Sequence, residues 1–394
     1  MTFESLASDF YGFESSLTDQ EKDLITRLRA FLDENVRPVA DDLWAKAEFF
    51  DRDTVVKGLA DLGVFGLPWE ETRPFENSAV FRGWVALELG RVDASAATLV
   101  GMQNGLVMGA VGVAGSAEQR AEWLPRFASG ELLGAFGLTE PLSGSDSAQG
   151  LRTTARLDGD EWVIDGAKRW IGNGTLSDVT VVWAKDVADG QVKGFLVPTS
   201  TPGYSATRIE NKQSLRIVQN ADIRLEGVRI PKENHLAKSA SFRETAAVLR
   251  LTRAEVAWAS VGNSIGAYEA AVRYATEREQ FGKPIGKHQL VQELLAKSLG
   301  NITASIALVS RVSQMLDEGV QRDEHAALAK EYATSRMRET VAWCREALGG
   351  NGIVLDYGVM RHFADAEALY SYEGTREMNT LIVGRAITGM GAFV

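Results

Sequence analysis

A chain of 394 residues, 45% hydrophobic and 24% charged, has the composition of a globular protein of two to three domains at ~100–200 residues per domain, and no uninterrupted apolar run approaches the ~18–20 residues of a membrane-spanning helix. Its 42 Lys and Arg stand against 53 Asp and Glu, a net charge of −11 that on average repels a polyanionic backbone and argues against nucleic acid as a partner. The single cysteine, Cys344, excludes an intrachain disulfide and a cysteine zinc cluster, and the acidic start MTFESLASDFYGFESSLTDQEKDL lacks the order of a signal peptide and the Arg bias of a transit sequence, so a cytoplasmic protein is expected.

From about residue 18 to 128 the pattern is helical. TDQEKDLITRLRAFLDENV offers Thr18 or Asp19 as a cap and repeats Leu24, Ile25, Leu28, Phe31 and Leu32 at helical spacing, and VVKGLADLG and FRGWVALELG continue the pattern. From about 129 to 236, β-branched and aromatic runs alternate with glycine: TTARL, DGDEWVIDG, DVTVVWAKD, VKGFLVP and ADIRLEGVRI, which predicts a small antiparallel β domain. After Pro231 only Pro284 follows, and HQLVQELLAKSLGNITASIALVSRVSQMLDEG carries the apolar stripe of a long bundle helix. Three domains are therefore expected, at 1–128, 129–236 and 237–394, and with no repeat or Pro/Ser-rich linker between them they should pack as one body.

Single motifs are weak here. Gly262-Asn263-Ser264-Ile265-Gly266 matches G-x-S-x-G, but a serine nucleophile needs a strained strand-to-helix turn, whereas RAEVAWASVGNSIGAYEAAVRYATERE has the small-residue spacing of close helix packing. There is no G-x-G-x-x-G or Walker loop, and His235, His288, His325 and His362 are scattered without ligand spacing, so no metal site is expected. Three polar segments resist a purely structural account. GAFGLTEPLSGSD at 134–146 reads alone as a turn. ALGGNG at 347–352 reads alone as a helix C-cap, although its N–H groups also suit a phosphate. Tyr372-Glu373-Gly374-Thr375 is unremarkable in isolation.

Taken together and in order, LTEPLSGSD, DGDEWVIDGAKRWIGNG, the Thr252-Arg253 pair before a small-residue helix, REQFGKPIGKHQLVQ, LGGNG and YEGTREMNTLIVGRAITG resemble the acyl-CoA dehydrogenase family from about residue 20 to the C-terminus. The last stretch resembles the glutaryl-CoA dehydrogenase branch. The resemblance implies an α+β, mostly α fold: an N-terminal helical domain, a central antiparallel β barrel-like domain and a C-terminal four-helix bundle. It also implies a homotetrameric flavoprotein of fatty acid metabolism, with one FAD per subunit, forming a 2,3-double bond in an acyl thioester and passing electrons to an electron-transfer flavoprotein. By the same resemblance Glu373 is the base that takes the α-proton while FAD accepts the β-hydride, and Gly374 lets the thioester approach the backbone. Phe136, Leu138, Thr139, Trp170, Ile171, Gly172 and Thr375 would face the flavin, while Arg278, Phe281, Gln289 and the loop Leu348, Gly349, Gly350, Asn351 and Gly352 would reach a neighbouring subunit's FAD. Arg253 corresponds to an arginine near the base and Ser145 to a position on the CoA arm.

Two departures stand out. Where glutaryl-specific members carry an arginine for the distal carboxylate, the collinear residue is Ala97, which predicts desaturation without decarboxylation on an uncharged acyl group lined by Thr98, Leu99 and Met102. Gly172 stands where most members have threonine, removing a hydroxyl contact to the flavin. The same features fit an acyl group on a carrier protein, or oxygen as oxidant. A DNA-associated, non-dehydrogenating member of the fold fits less well with the net charge of −11 and with Glu373.

Overall fold

The computed structural model describes residues 2–392. Its first part comprises α1 (Asp19–Asn35), α2 (Arg37–Lys46), α3 (Lys57–Asp61), α4 (Ala79–Val92), α5 (Ala94–Gly101), α6 (Met108–Ala114) and α7 (Ala117–Ala128). α1 starts at the expected cap: the Thr18 hydroxyl accepts from the Glu21 N–H (3.3 Å) and the Glu21 carboxylate accepts from the Thr18 N–H (2.8 Å), which satisfies two first-turn donors reciprocally. Its stripe Leu24, Ile25, Leu28 and Leu32 is buried, with Phe31 at the margin.

Between α5 and α6 the helix widens into a π segment, Met102–Val107. Gln103 donates to the carbonyls of Phe127 (3.0 Å) and Leu132 (2.8 Å) and accepts from the Gly134 N–H (3.0 Å), which ties this segment to the first strand. Ala94–Ala114 thus forms one 21-residue stretch long and apolar enough by composition to cross a membrane, although Gln103 and Asn104 interrupt its apolar run. Its apolar window is 89% buried inside the protein, as in a core helix.

The strands β1 (Gly134–Gly137), β2 (Thr154–Asp158), β3 (Glu161–Gly172), β4 (Val179–Asp186), β5 (Val192–Pro198), β6 (Tyr204–Arg208) and β7 (Asn220–Pro231) make one sheet in the order β1-β4-β2-β3-β7-β6, with β5 on β4; a short α8 (Ser147–Gly150) lies between β1 and β2. The antiparallel expectation describes β2–β3, β3–β7, β4–β5 and β6–β7, but β1 and β2 both pair with β4 in parallel. β1 had no strand pattern in the sequence: GAFG is glycine-rich and without alternation. Its backbone is nevertheless buried, and a buried backbone must find ladder partners, which β4 supplies.

The last part comprises α9 (Phe242–Glu277), a small hairpin of β8 (Glu279–Gln280) and β9 (Lys283–Pro284), then α10 (Gln289–Asp317), α11 (Asp323–Ala347), α12 (Val359–Ser371) and α13 (Arg376–Thr388). A capping box at Ser241 and Glu244 starts α9 early, so Thr252 and Arg253 lie well inside it rather than ahead of it. The glycines of GNSIG let α9 meet α4 backbone to backbone: a Cβ on Gly262 would stand 2.1 Å from the Leu87 carbonyl oxygen, and one on Gly266 2.3 Å from that of Arg91. Ser264 is buried and donates to the Ser260 carbonyl at 2.9 Å, within a continuous helix, so the hydrolase motif is helix packing.

Candidate active site

α12 ends at Ser371 and the chain turns through Glu373 (φ 51°) and Gly374 (φ 90°) before the Thr375 hydroxyl caps α13 by accepting from the Met378 N–H at 3.3 Å. A non-glycine residue at positive φ costs about 1–2 kcal/mol, so the turn needs support. Lys330 of α11 provides it: its buried ammonium donates to the carbonyls of Tyr372 and of Gly374, the latter at 2.6 Å, and lies over the Tyr372 ring. Asn379 adds donors to the carbonyls of Gly374 (2.9 Å) and Thr375 (3.0 Å).

So held, Glu373 points into a narrow pocket walled by Ala97, Thr98 and Gly101 of α5, by Thr252, Glu255, Val256 and Ala259 of α9, and by Tyr372. Its Oε2 is buried and has no hydrogen-bond partner among the described residues. Burial raises the Glu373 pKa above the usual carboxylate value, and the Thr252 hydroxyl and the Lys330 and Arg253 cations oppose that rise. The same burial lowers Lys330 to about 7 and lowers Arg253, and the charge of Glu373 acts against both shifts. Glu255, three residues after Thr252 on the same helical face, is raised to about 7 by burial and then by the negative charge of Glu373.

Of the three residues expected to line the acyl group, Thr98 does line the pocket. Leu99 does not: the next residue along α5 turns about 100° away, and Leu99 is packed into the core with 1% exposure. Met102 opens the π segment and lies against Gly172, where an added Cβ would stand 2.3 Å from its Sδ. Ser145 is exposed, two residues after Ser143, whose hydroxyl is buried and unpartnered among the described residues.

A second surface is built from β1 and β3. Phe136 lies on β1, with Leu138 and Thr139 just beyond, and the Thr139 carbonyl accepts from the Arg169 N–H at 2.8 Å, which brings this segment to Trp170 and Ile171. The β3–β7 ladder is irregular between Lys168 and Ile171, and there Trp170 takes φ 64° with half its surface exposed while Ile171 is buried. A buried ion pair fixes this corner. Lys168 donates to Glu140 (2.9 Å) and to the carbonyls of Leu138 (3.2 Å) and Trp183 (2.6 Å), and Glu140 also accepts from the Thr153 N–H (2.9 Å). Beside Gly172, buried Asn173 at φ 60° has both its amide oxygen and its amide nitrogen unpaired among the described residues. An exposed indole on strained backbone, the Phe136 phenyl on β1 and unpaired polar atoms beside Gly172 suit a flat aromatic ring system with polar edges, the character of an isoalloxazine.

Arg278, Phe281 and Gln289 are elsewhere. At ~1.5 Å rise per residue, Arg278 lies ~39 Å from Thr252 along α9. Phe281 is 93% exposed at φ 55°, and Arg278 and Gln289 are exposed around it. The 348–352 loop joins this corner: Leu348 is buried, Gly349 takes φ 58°, Gly350 is exposed, the Asn351 amide donates to the Tyr274 hydroxyl at 2.8 Å, and a Cβ on Gly352 would meet the Arg345 carbonyl oxygen at 2.2 Å. Among the described residues there is no cluster of three or more His, Cys, Asp or Glu side chains that could hold a metal.

Lys330 and Glu255 lie outside the six motifs, while Glu140 and Lys168 stand inside LTEPLSGSD and DGDEWVIDGAKRWIGNG without a role of their own. The signals for the first two were weak: Lys330 stands with Glu331 in the small-residue run AALAKEYAT, and Glu255 shares the face of Thr252.

Three family models match in chain order: acyl-CoA dehydrogenase N-terminal domain over residues 18–131, middle domain over 135–228 and C-terminal domain over 242–388. The mitochondrial short-chain specific acyl-CoA dehydrogenase of Mus musculus is 32% identical over 360 residues, 90% of this chain and 87% of that protein. Glutaryl-CoA dehydrogenase from Mycobacterium smegmatis matches with a TM-score of 0.94 at 36% identity, covering 99% of this chain and 100% of that one. A glutaryl-CoA dehydrogenase from the same organism in complex with FADH2 matches at 0.94 and 34%, with the same coverage.

Proposed function

The chain belongs to the acyl-CoA dehydrogenase family of FAD-dependent oxidoreductases acting on CH–CH bonds, and from that premise we propose that it converts an acyl-CoA lacking a distal carboxylate to the trans-2-enoyl-CoA, with Glu373 taking the α-proton. The observation that carries this reading is the Glu373 carboxylate: enclosed, unpartnered at Oε2, and aimed into a pocket. A base with its pKa raised toward working pH gives ~10²–10⁴ in rate when correctly placed. Lys330 holds the turn that aims it, and among the described residues the Glu373 N–H donates to no other group, which leaves it free for the thioester carbonyl as charge develops there. Gly374 at φ 90° keeps side-chain bulk away from that approach, and Arg253 sets the charge around the base.

Phe136, Leu138, Thr139, Trp170, Ile171, Gly172 and Thr375 would hold the FAD of their own subunit. When bound, FAD supplies the acceptor for the β-hydride. Arg278, Phe281, Gln289 and the 348–352 loop, distant along α9, would hold the FAD of a neighbour, which supports a homotetramer. Exposed Phe281, Leu290, Ile353 and Val354 at that corner have the apolar character of a subunit contact. Ser145 would meet the CoA arm, Thr98 the acyl group, and electron-transfer flavoprotein would be the acceptor. Ala97 in the pocket wall supports desaturation without decarboxylation, because among the described residues no cation lines that wall to pair a distal carboxylate.

Anaerobic titration of the flavin-loaded protein with acyl-CoA and acyl-carrier-protein thioesters tests this. Bleaching by acyl-CoA is expected. Glu373→Gln is expected to keep the flavin colour and lose the bleaching; bleaching of that variant at the parental rate, or efficient carbon dioxide release from glutaryl-CoA, overturns the proposal.

A further inference from the structure

Glu255 is the second carboxyl of the pocket, and its position is prepared by glycine. A Cβ on Gly101 would stand 3.6 Å from its Oε1, and one on Gly105, in the π segment, 3.1 Å from its Oε2. Among the described residues no side chain or backbone group hydrogen-bonds or ion-pairs with it; Arg82 of α4, whose charge acts on it, directs its donors to the Asn77 carbonyl (3.1 Å) and side-chain oxygen (2.9 Å). Glu255 is half-buried, and its unpaired carboxyl lies on the wall of the cavity that Glu373 also faces, open to water until a substrate fills that space. A carboxyl left unpaired once the cavity closes is costly, so the partner it then needs is one that enters with the substrate.

We propose that Glu255 selects the acyl group, and that the preferred substrate carries a hydrogen-bond donor beyond its β-carbon, a hydroxyl or an ammonium, which the Glu255 carboxyl receives. This rests on the dehydrogenase reading and narrows its substrate class. An unsubstituted alkyl chain would strip water from the carboxyl and return no partner, and sites built for a hydrogen bond discriminate strongly against analogues that lack it. A terminal carboxylate would meet the like charges of Glu255 and Glu373 with Ala97 where a cation would be needed. With its pKa near 7, Glu255 presents both its ionised and its neutral form at neutral pH, and either form accepts from a hydroxyl.

The test compares matched thioesters on the flavin-loaded enzyme: pentanoyl-CoA with 5-hydroxypentanoyl-CoA, hexanoyl-CoA with 6-hydroxyhexanoyl-CoA, and hexanoyl-CoA with 6-aminohexanoyl-CoA. The readouts are kcat/KM for flavin bleaching and the shift in melting temperature on binding. The parent is expected to prefer a donor-bearing member at least tenfold, and Glu255→Leu to abolish or invert that ratio while keeping its flavin content. Glu255→Gln separates the two donors: it keeps a preference for hydroxyl and loses one for ammonium. A parent ratio near one, or the same ratio in Glu255→Leu, overturns the inference and leaves dehydrogenation standing. Failure of every thioester to bleach the parent overturns the dehydrogenase reading and this inference with it.

Discussion

Replacing Lys330 with methionine separates the geometry of the base from its mere presence. The substitution keeps the length of the side chain and removes the charge that draws the Tyr372 and Gly374 carbonyls together. Two charge-assisted hydrogen bonds are lost, each about 1.5–3 kcal/mol. The several-kcal/mol cost of burying an ammonium is relieved, a cost visible in the depression of Lys330 to about 7. These terms nearly cancel, so net stability should change by no more than ~2 kcal/mol. Activity should not cancel in this way. Glu373 at φ 51° sits ~1–2 kcal/mol above a relaxed backbone and loses its clamp. A displacement of the base by ~1 Å costs on the order of 10² in rate, so kcat should fall ~10²-fold while KM moves less than ~3-fold. The sign of the pH effect follows from the charges. Lys330 opposes the rise that burial imposes on Glu373, so its removal raises that pKa further, and the acid limb of kcat/KM moves to higher pH. Lys330→Arg should recover part of the rate and return the limb. Steady-state kinetics with an artificial acceptor across pH, beside denaturation curves, read all of this. A Lys330→Met enzyme with parental kcat and an unmoved limb would refute the clamp.

Glu255 binds its proton more tightly folded than unfolded, because its pKa rises from the ordinary 4.5 to about 7, so wild-type stability should decline as pH rises through that window. At ~1.36 kcal/mol per pH unit over about 2.5 units the decline is at most ~3.4 kcal/mol, and Glu255→Gln should lose it; stabilities from urea curves that change equally with pH in the two proteins between pH 4.5 and 8 would contradict this. Lys168→Met leaves Glu140 buried without its cation and should cost about 3–5 kcal/mol in chemical denaturation, with loss of flavin as the Leu138–Glu140 segment loosens; a cost under ~1 kcal/mol would rule the pair out as the support of that corner. Gly172→Thr drives a Cβ to 2.3 Å from Met102 Sδ, an overpacking cost of about 1–3 kcal/mol that Met102→Ala should relieve, with a coupling above ~0.5 kcal/mol in a double-mutant cycle on melting temperature.

What could be read in advance was local. The Thr18 cap, the helical stripe of α1, the β-rich middle and the packing role of GNSIG follow from neighbours within a few positions, and the structure bears them out. Where the outcome depended on a distant chain segment, the pattern was silent. β1 is a strand because β4 lies beside it. The start of α9, by contrast, is set by a local signal, the Ser241–Glu244 capping box, and the helix runs on from there through Thr252 and Arg253. Leu99 was expected in the acyl pocket together with Thr98, yet helix geometry turns adjacent residues to different faces.

The carboxylate Glu373 was legible only through its motif; its aim depends on Lys330 from another helix, and its charge environment on Glu255, Arg253 and Lys330 together. This division has a physical basis. A motif preserves the group that does the chemistry, whereas the wall of the pocket is assembled from α5, the π segment and α9, whose glycines and single buried charges look like packing until the helices meet. The glycines at 101 and 105 illustrate this: along the chain they are weak helix formers, and across the interface they are the space in which a carboxyl stands without a partner. On the proposed reading, the chemistry of the reaction is therefore carried by the turn after α12, and the choice of acyl group by the contact between helices.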